Sequence, residues 1–163
     1  MPVTQLGNET TTVYADGADF VMERVFAAPR ELVWKAITEP QHIPNWWGPR
    51  DVPMTVEAMD FRVGGRWRWI AQSADGDAPF TGEYLEIDPP KRIVHTEMFD
   101  VEPFNQGEPA LVTVTLEEVE GGTKLRSSSR FPSVEGLEAA LSTGMTGGAI
   151  ESWDRLDEVI ATL

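Results

Sequence analysis

The sequence predicts an α+β fold in which a seven-stranded antiparallel sheet curls around one long C-terminal helix. Short runs of strand-forming residues, separated by turn signals, fill the middle of the chain from Met54 to Arg130. Helical spacing of apolar residues is confined to a short stretch near residues 30–40 and a long one from Ser133 to Leu163. Such segregation of strands and helices is typical of the α+β class, in which the sheet and an amphipathic helix bury their apolar faces against each other.

The first predicted strand leads directly into helices. Residues 20–26 are rich in strand formers, Pro29 suits the first position of a helix, and Pro40 ends that helix. The segment 41–47 is too short and too proline-broken for more than one or two turns of a second helix. Because short turns separate the remaining strands, we expect an antiparallel meander. These strands are predicted at residues 54–61, 66–73, 79–87, 92–99, 110–119 and 123–130.

The last helix is expected from near Ser133 to Leu163. One apolar face runs along it, traced by Met145, Ala149, Trp153, Leu156, Ile160 and Leu163. Gly144, Gly147 and Gly148 interrupt the helix, and each interior glycine costs roughly 1 kcal/mol relative to alanine. Two interpretations are open. The glycines either mark a break between two helices, or they leave space against the sheet and let the helix bend around a ligand.

Length and charge limit the domain organisation and the partners. The chain of 163 residues fits one domain, which we place at residues 16–163, after a loosely ordered tail at residues 1–15. The formal net charge of -14 repels phosphate backbones, so we expect no nucleic-acid partner. No run approaches the ~18 apolar residues of a membrane-spanning helix, and the first residues lack the pattern of a signal peptide. We therefore expect no membrane insertion and a cytoplasmic location.

The residue types present also limit the chemistry. The chain has no cysteine and only two histidines, His42 and His95, which removes disulfides, thiolate catalysis and multi-histidine metal sites. No carboxylate spacing typical of a metal site occurs, and the motifs of serine hydrolases, P-loop proteins, dinucleotide-binding folds and zinc proteases are missing from the sequence. We expect neither a metal nor another cofactor.

Aromatic residues are placed as if they face an interior. Trp67 and Trp69 alternate with Arg66 and Arg68, so both indoles lie on one face of a strand and both guanidinium groups on the other. The aromatic face should be the inner one. The two tryptophans are then either ordinary core residues or the lining of an internal cavity, and the two roles are compatible.

His95 and Glu97 are the best acid–base candidates in the sequence. They lie two positions apart and share one strand face with Ile93 and Phe99. If that face points inward, burial disfavours the charged form of both groups unless they bond to each other. The alternative is a pair at the surface, or a core polar pair with satisfied hydrogen bonds.

Several segments together resemble a known family. They are AAPRELVWKAIT, EPQHIPNWWGP, VGGRWRW, GEYLEIDPPKRIVHTE, VTVTLEEVEGGTKL and GMTGGAIESWDRLDEVI. Over residues 20–163 the chain resembles the family named for the activator of heat-shock-protein-90 ATPase. That family belongs to the START-like (SRPBCC) superfamily, with the birch-pollen-allergen type and the polyketide cyclases. The resemblance implies the helix-grip fold and a deep, largely hydrophobic pocket between the sheet and the C-terminal helix, suited to lipids or other apolar small molecules.

The resemblance also implies which residues would form the pocket wall, namely Trp46, Trp47, Trp67, Trp69, Phe80, Tyr84, Phe99, Met145, Ala149 and Trp153. His95 and Glu97 depart from the family tendency towards aromatic residues at these positions. Inside the pocket they would orient a ligand hydroxyl or carbonyl. Adjacent positions on a helical turn point about 100° apart, so only one of Trp46 and Trp47 should face the cavity, and we expect Trp47.

Three functions follow as hypotheses. The first is non-catalytic binding of a lipid-like, aromatic or polyketide-like small molecule. The second is an enzyme of the cyclase or dehydratase type, with His95 and Glu97 as acid and base. The third is a co-chaperone that stimulates the ATPase of heat-shock protein 90. The edge strands of an incomplete barrel are also compatible with a homodimer.

Overall fold

The computed structural model describes residues 3–163 and confirms the α+β helix-grip architecture, with an open antiparallel sheet of nine strands. The strands are β1 (Thr4–Gln5), β2 (Thr12–Asp16), β3 (Asp19–Phe26), β4 (Met54–Met59), β5 (Arg66–Ser73), β6 (Gly76–Asp88), β7 (Arg92–Phe99), β8 (Ala110–Val119) and β9 (Gly122–Arg130). Their spatial order is β1-β2-β3-β9-β8-β7-β6-β5-β4. The helices are α1 (Arg30–Thr38), α2 (Val134–Leu141) and α3 (Met145–Ile160), and a 3-10 turn spans Ile43–Asn45.

The strand count exceeds the seven expected because residues 4–16 add β1 and β2. This segment was expected to be a loosely ordered tail, but β2 pairs with β3 along its whole length. Thr11 and Val13 are buried, at 1% and 0% exposure, so the segment also closes one end of the core. The sequence did not predict β2 because Val13 is its only fully buried residue, so the strand shows no alternation of apolar and polar residues. Met1 and Pro2, the start of the predicted tail, lie outside the described residues.

The single long C-terminal helix is corrected to two helices. Gly144 has a φ of 84°, a left-handed conformation that glycine adopts readily, and it separates α2 from α3. Ser133 caps α2 by accepting a hydrogen bond from the Gly136 amide at 3.0 Å. Gly147 is exposed, while Gly148 lies against Pro49. The break, rather than a bend around a ligand, therefore accounts for the first of the three glycines.

The core has two parts on the inner face of the sheet. The larger part joins β3, β8 and β9 to α1 and α3, where Phe26 packs edge to face against Trp153 with ring centroids 6.0 Å apart. Arg24 on β3 forms an ion pair with Asp154 on α3 at 2.5 Å. The smaller part lies on β5, β6 and β7, around Trp67, Tyr84 and Ile93. Within residues 3–163, no helix is long and apolar enough to cross a membrane.

Candidate functional site

The inner face of β5, β6 and β7 carries a continuous chain of ring contacts, here called the aromatic network. Neighbouring ring centroids lie between 4.8 and 6.2 Å apart. Most contacts are edge to face, the geometry that ring quadrupoles favour. In order along the chain of contacts, the network consists of Trp34, Phe61, Tyr84, His95, Trp67, Trp69, Trp47, Phe80, Phe99 and Phe104.

Trp47 joins the network from outside the sheet. Its ring lies 5.5 Å from Trp69 and 5.0 Å from Phe80. Trp46, its neighbour, points elsewhere: its indole Nε1 donates to the carbonyl of Ala36 in α1 at 2.9 Å. The two tryptophans therefore have different roles: Trp46 anchors the turn to α1, and Trp47 packs against the sheet.

The residue after Trp47 fixes the turn to α3. Gly48 has a φ of 89°, which favours glycine. Its amide donates to Ser152 Oγ at 2.8 Å, and its carbonyl accepts from Arg155 Nη1 at 2.9 Å. Trp47 is thus held between α3 and the sheet by hydrogen bonds on one side and by ring contacts on the other.

The Trp67 indole packs closely over β6 because its cross-strand partner there, Gly82, has no side chain. A Cβ at Gly82 would stand 2.5 Å from Trp67 Nε1 and 1.9 Å from the carbonyl oxygen of Thr96. Thr81 pairs with Met98 and Tyr84 with His95, so Gly82 lies opposite Glu97 on β7. The indole of Trp67 therefore borders the strand position of Glu97.

Glu97 is a recessed carboxyl group on this inner face. Across the strands it pairs with Ala110, and along β7 its same-face neighbours are His95 and Phe99. Among residues 3–163 it has no ion-pair partner, and burial alone raises its pKa to about 7. Part of the residue remains in contact with solvent. Glu97 is therefore a strongly desolvated carboxyl group that keeps partial contact with solvent.

His95 is neutral in this environment. Its Nδ1 lies 3.0 Å from the carbonyl oxygen of Thr96, and since a carbonyl only accepts, Nδ1 carries the proton. Burial lowers the pKa of His95, and the hydrogen bond to Thr96 opposes that change. The ring stands edge to face against Trp67 at 5.6 Å and Tyr84 at 6.2 Å. Its Nε2 is the free acceptor of this tautomer.

Two indole N–H groups of the network have no acceptor among the described residues. They are Nε1 of Trp67 and Nε1 of Trp69, and both atoms are buried. Leaving a buried donor unpaired costs about 1–3 kcal/mol, so such groups are rare and call for an explanation. A hydrogen-bond acceptor outside the described protein atoms would satisfy them.

The sequence-predicted site residues divide into two groups. Trp47, Trp67, Trp69, Phe80, Tyr84, His95 and Phe99 belong to the aromatic network, and Glu97 lies among them. Trp46 and Trp153 lie in the larger core, and Met145 and Ala149 pack against it while partly buried. The structure therefore brings the strand residues and Trp47 together, and Trp47 and Trp69 also pack against the larger core.

Sequence reasoning did not single out three members of the network. Trp34 on α1 contacts Phe61 at 6.1 Å, and Phe61 contacts Tyr84 at 5.0 Å. Phe104, in the loop between β7 and β8, contacts Phe99 at 5.3 Å. The position of Trp34 in a predicted helix could have indicated which way its side chain points. Phe104 lies in a loop, where no periodicity indicates the direction of a side chain.

Two surface depressions lie away from these residues. One, of about 350 Å³, is lined by polar groups that include His42, Arg50, Arg155 and Glu158. The other, of about 120 Å³, lies between the β1–β2 end of the sheet and α2, near Thr4 and Leu137. Neither includes a predicted site residue. Within residues 3–163, no three His, Asp or Glu side chains converge in a way that could hold a metal ion.

The fold and the family are established by comparison. An open antiparallel sheet that grips a C-terminal helix is the helix-grip architecture of START-like proteins. Residues 27–161 match the family model described as "Activator of Hsp90 ATPase homolog 1-like protein". Since the match covers most of the chain, the protein belongs to this family, as its sequence motifs indicate. A comparison with curated proteins gives no match.

Solved structures share the fold over almost the whole chain. A protein from Arthrobacter aurescens, solved by NMR, is 27% identical with a TM-score of 0.84, covering 93% of this chain and 91% of its own. A crystal structure from Rhodobacter sphaeroides is 29% identical with a TM-score of 0.82, covering 94% and 99%. Protein Ms6760 from Mycobacterium smegmatis is 26% identical with a TM-score of 0.80, covering 97% and 96%.

Proposed function

We propose that the protein binds an apolar small molecule on the aromatic network, without chemical conversion of that molecule. One observation carries the proposal: Trp47, Trp69, Phe80 and Phe99 form contiguous ring contacts and all keep intermediate exposure to solvent. Contiguous exposed aromatic surface is costly in water and is typical of ligand sites. Family membership supports the same conclusion, because the family fold is a ligand-binding fold.

Polar groups within the network favour a ligand that is not purely hydrocarbon. The unpaired Nε1 donors of Trp67 and Trp69 would be satisfied by an acceptor on the ligand, such as a carbonyl or hydroxyl oxygen. Glu97 and His95 Nε2 lie on the same face of the sheet. In an apolar site, a small number of polar groups is enough to fix the orientation of the ligand. We therefore place lipid-like and aromatic or polyketide-like molecules in one class here, an apolar body that carries a polar group.

A thermal-shift titration tests this proposal. Fatty acids, naphthols and aromatic polyketides are added to the wild type and to Trp47→Ala. We expect at least one class to raise the Tm of the wild type, because a ligand that binds only the native state stabilises it. Trp47→Ala should reduce that shift by more than half. Tyr14→Ala is the matched control, since Tyr14 lies on β2 and its hydroxyl bonds to Arg126 away from the network.

The proposal fails if no member of the panel raises the Tm. It also fails if Trp47→Ala and Tyr14→Ala lower the response equally, since binding would then not depend on the network.

Cyclase or dehydratase chemistry is the second candidate. The observation that favours it is that both titratable groups, His95 and Glu97, lie on the inner face beside aromatic rings, where burial lowers the pKa of His95 and raises the pKa of Glu97 to about 7. A carboxyl group that keeps its proton near neutral pH can act as a general acid, and a neutral imidazole can act as a general base. Turnover of a ring precursor that both His95→Gln and Glu97→Gln abolish, without loss of binding, would favour catalysis over binding alone.

Stimulation of heat-shock protein 90 and homodimer formation stay predictions. An ATPase assay with the chaperone tests the first, and an unchanged rate would argue against it. Sedimentation at several protein concentrations tests the second. The cytoplasmic location is likewise a proposal, which cell fractionation tests.

A further inference from the structure

We propose that the aromatic network selects ligands whose apolar body carries a protonated amine, with the carboxylate of Glu97 as the counter-ion. This inference rests on the proposed function and adds the charge of the ligand to it. Its basis is the arrangement of groups around Glu97.

Apolar or aromatic groups surround Glu97 on the inner face. Along β7 these are His95 and Phe99, across β6 the indole of Trp67 above Gly82, and across β8 Ala110. A cation within about 6 Å of an aromatic ring face is attracted by the negative charge of that face. A carboxylate bordered by rings therefore offers a cation both an opposite charge and adjacent aromatic rings.

Every basic side chain of the neighbouring strands is engaged on the outer face. Arg66 pairs with Glu83 at 3.5 Å, and Arg68 pairs with Glu57 at 2.7 Å and with Asp100 at 3.1 Å. On β7 itself, Arg92 pairs with Glu86 at 3.1 Å. Within residues 3–163, Glu97 is thus left without a counter-ion, although this part of the sheet is otherwise laced with ion pairs.

The groups that titrate near Glu97 do not supply the missing charge. His95 on β7 is neutral, because burial lowers its pKa. Tyr84 on β6 stays protonated, since burial raises its pKa. The facing residues of β8, Ala110 and Val112, carry no charge, and those of β5 are Trp67 and Trp69. Within residues 3–163, no basic side chain of β5, β6, β7 or β8 pairs with Glu97, so a bound ammonium group would supply the missing positive charge and favour ionisation of Glu97.

The test compares two probes of one shape by isothermal titration calorimetry, 2-(1-naphthyl)ethylamine and 2-(1-naphthyl)ethanol, at pH 5.5 and pH 8.5. The amine stays protonated at both values. At pH 8.5 we expect the amine to bind at least tenfold more tightly than the alcohol. On going to pH 5.5 the amine should lose up to roughly thirtyfold in affinity, because the pKa of Glu97 in the free protein is about 7. The alcohol should change little.

Two variants that each remove one negative charge distinguish a local effect of Glu97 from a general effect of the net charge of the protein. Glu97→Gln keeps the shape of the side chain, and in it the amine should bind no better than the alcohol at either pH. Glu83→Gln removes a carboxylate from the outer face of β6, where it pairs with Arg66, and should leave the preference for the amine intact. Residual pH dependence in Glu97→Gln would belong to His95 and not to the proposed counter-ion.

Equal binding of both probes, unaffected by Glu97→Gln but weakened by Trp47→Ala, would overturn this inference and leave the proposed function standing. Tighter binding of the alcohol at pH 5.5 would also overturn it, because Glu97 would then act as a neutral donor. If neither probe binds, both proposals fail for these aromatic ligands.

Discussion

Trp47 packs edge to face against Trp69, with ring centroids 5.5 Å apart, although the two residues belong to a turn and to the middle of a strand. The contact exists because Trp46 ties the same turn to α1 and Gly48 ties it to α3. Trp47 is therefore part of a wall that other elements hold in place.

Replacing Trp46 with phenylalanine should destabilise the protein without removing the network. In a continuing helix the carbonyl of Ala36 would accept from residue 40, but Pro40 has no N–H, and Trp46 Nε1 takes that place at 2.9 Å. Loss of this buried hydrogen bond and of part of the ring should lower the free energy of unfolding by about 1–3 kcal/mol. Urea denaturation measures it, with Trp47→Phe as the control. A smaller loss than in Trp47→Phe would contradict the anchoring role.

Glu97 should make the protein less stable as the pH rises from about 4.5 to about 7. Its pKa is raised by burial from 4.5 to about 7, so its contribution is complete below pH 4.5 and is lost as the native carboxyl ionises. Relative to Glu97→Gln, the wild type should lose on the order of 2–3 kcal/mol across this window. Chemical denaturation at several pH values measures the difference.

Glu83→Gln is the control for this pH series and should not reproduce the divergence. Curves for the wild type and Glu97→Gln that stay parallel from pH 4.5 to pH 8 would show that Glu97 is not desolvated.

A side chain at Gly82 should disturb the network directly. A Cβ there would stand 1.9 Å from a backbone oxygen and 2.5 Å from Trp67, so the strands or the indole must shift. We expect Gly82→Ala to cost about 2 kcal/mol or more. Gly147→Ala is the contrasting variant, because its Cβ would meet nothing within 4 Å and the position is helical, so it should gain up to about 1 kcal/mol. Thermal unfolding compares both, and a neutral Gly82→Ala would refute the close packing.

The order of strands and helices could be predicted because local signals carry it. Glycine and proline turns delimit the strands from Met54 to Arg130, and the alternation of Trp67 and Trp69 with arginines indicates the inner face. Residues 4–16 gave no such signal, since polar residues, four of them Thr, dominate there and the segment is ordered by pairing with β3. The break at Gly144 could be recognised only as one of two interpretations, because the residues around it have helical spacing.

The site could be predicted in part for the same reason. Residues on the strands were found because alternation places them on one face, as with His95 and Glu97 opposite Val112 and Ala110. Trp153 was assigned to the pocket by resemblance, yet it packs on Phe26 in the larger core. Where α3 lies along the sheet depends on contacts distant in sequence, and no local pattern encodes it. Phe104 was missed because a loop has no period from which to infer direction.

The most direct test of the aromatic network as a binding site follows the indole N–H signals of the six tryptophans in a ¹H–¹⁵N NMR titration with 2-(1-naphthyl)ethanol. Single Trp→Phe variants assign the signals. We predict that Trp47, Trp67 and Trp69 shift, whereas Trp46, which bonds to Ala36, and Trp153, in the larger core, stay unchanged. Shifts confined to Trp46 or Trp153, or no shift of any signal at saturating ligand, would contradict the account.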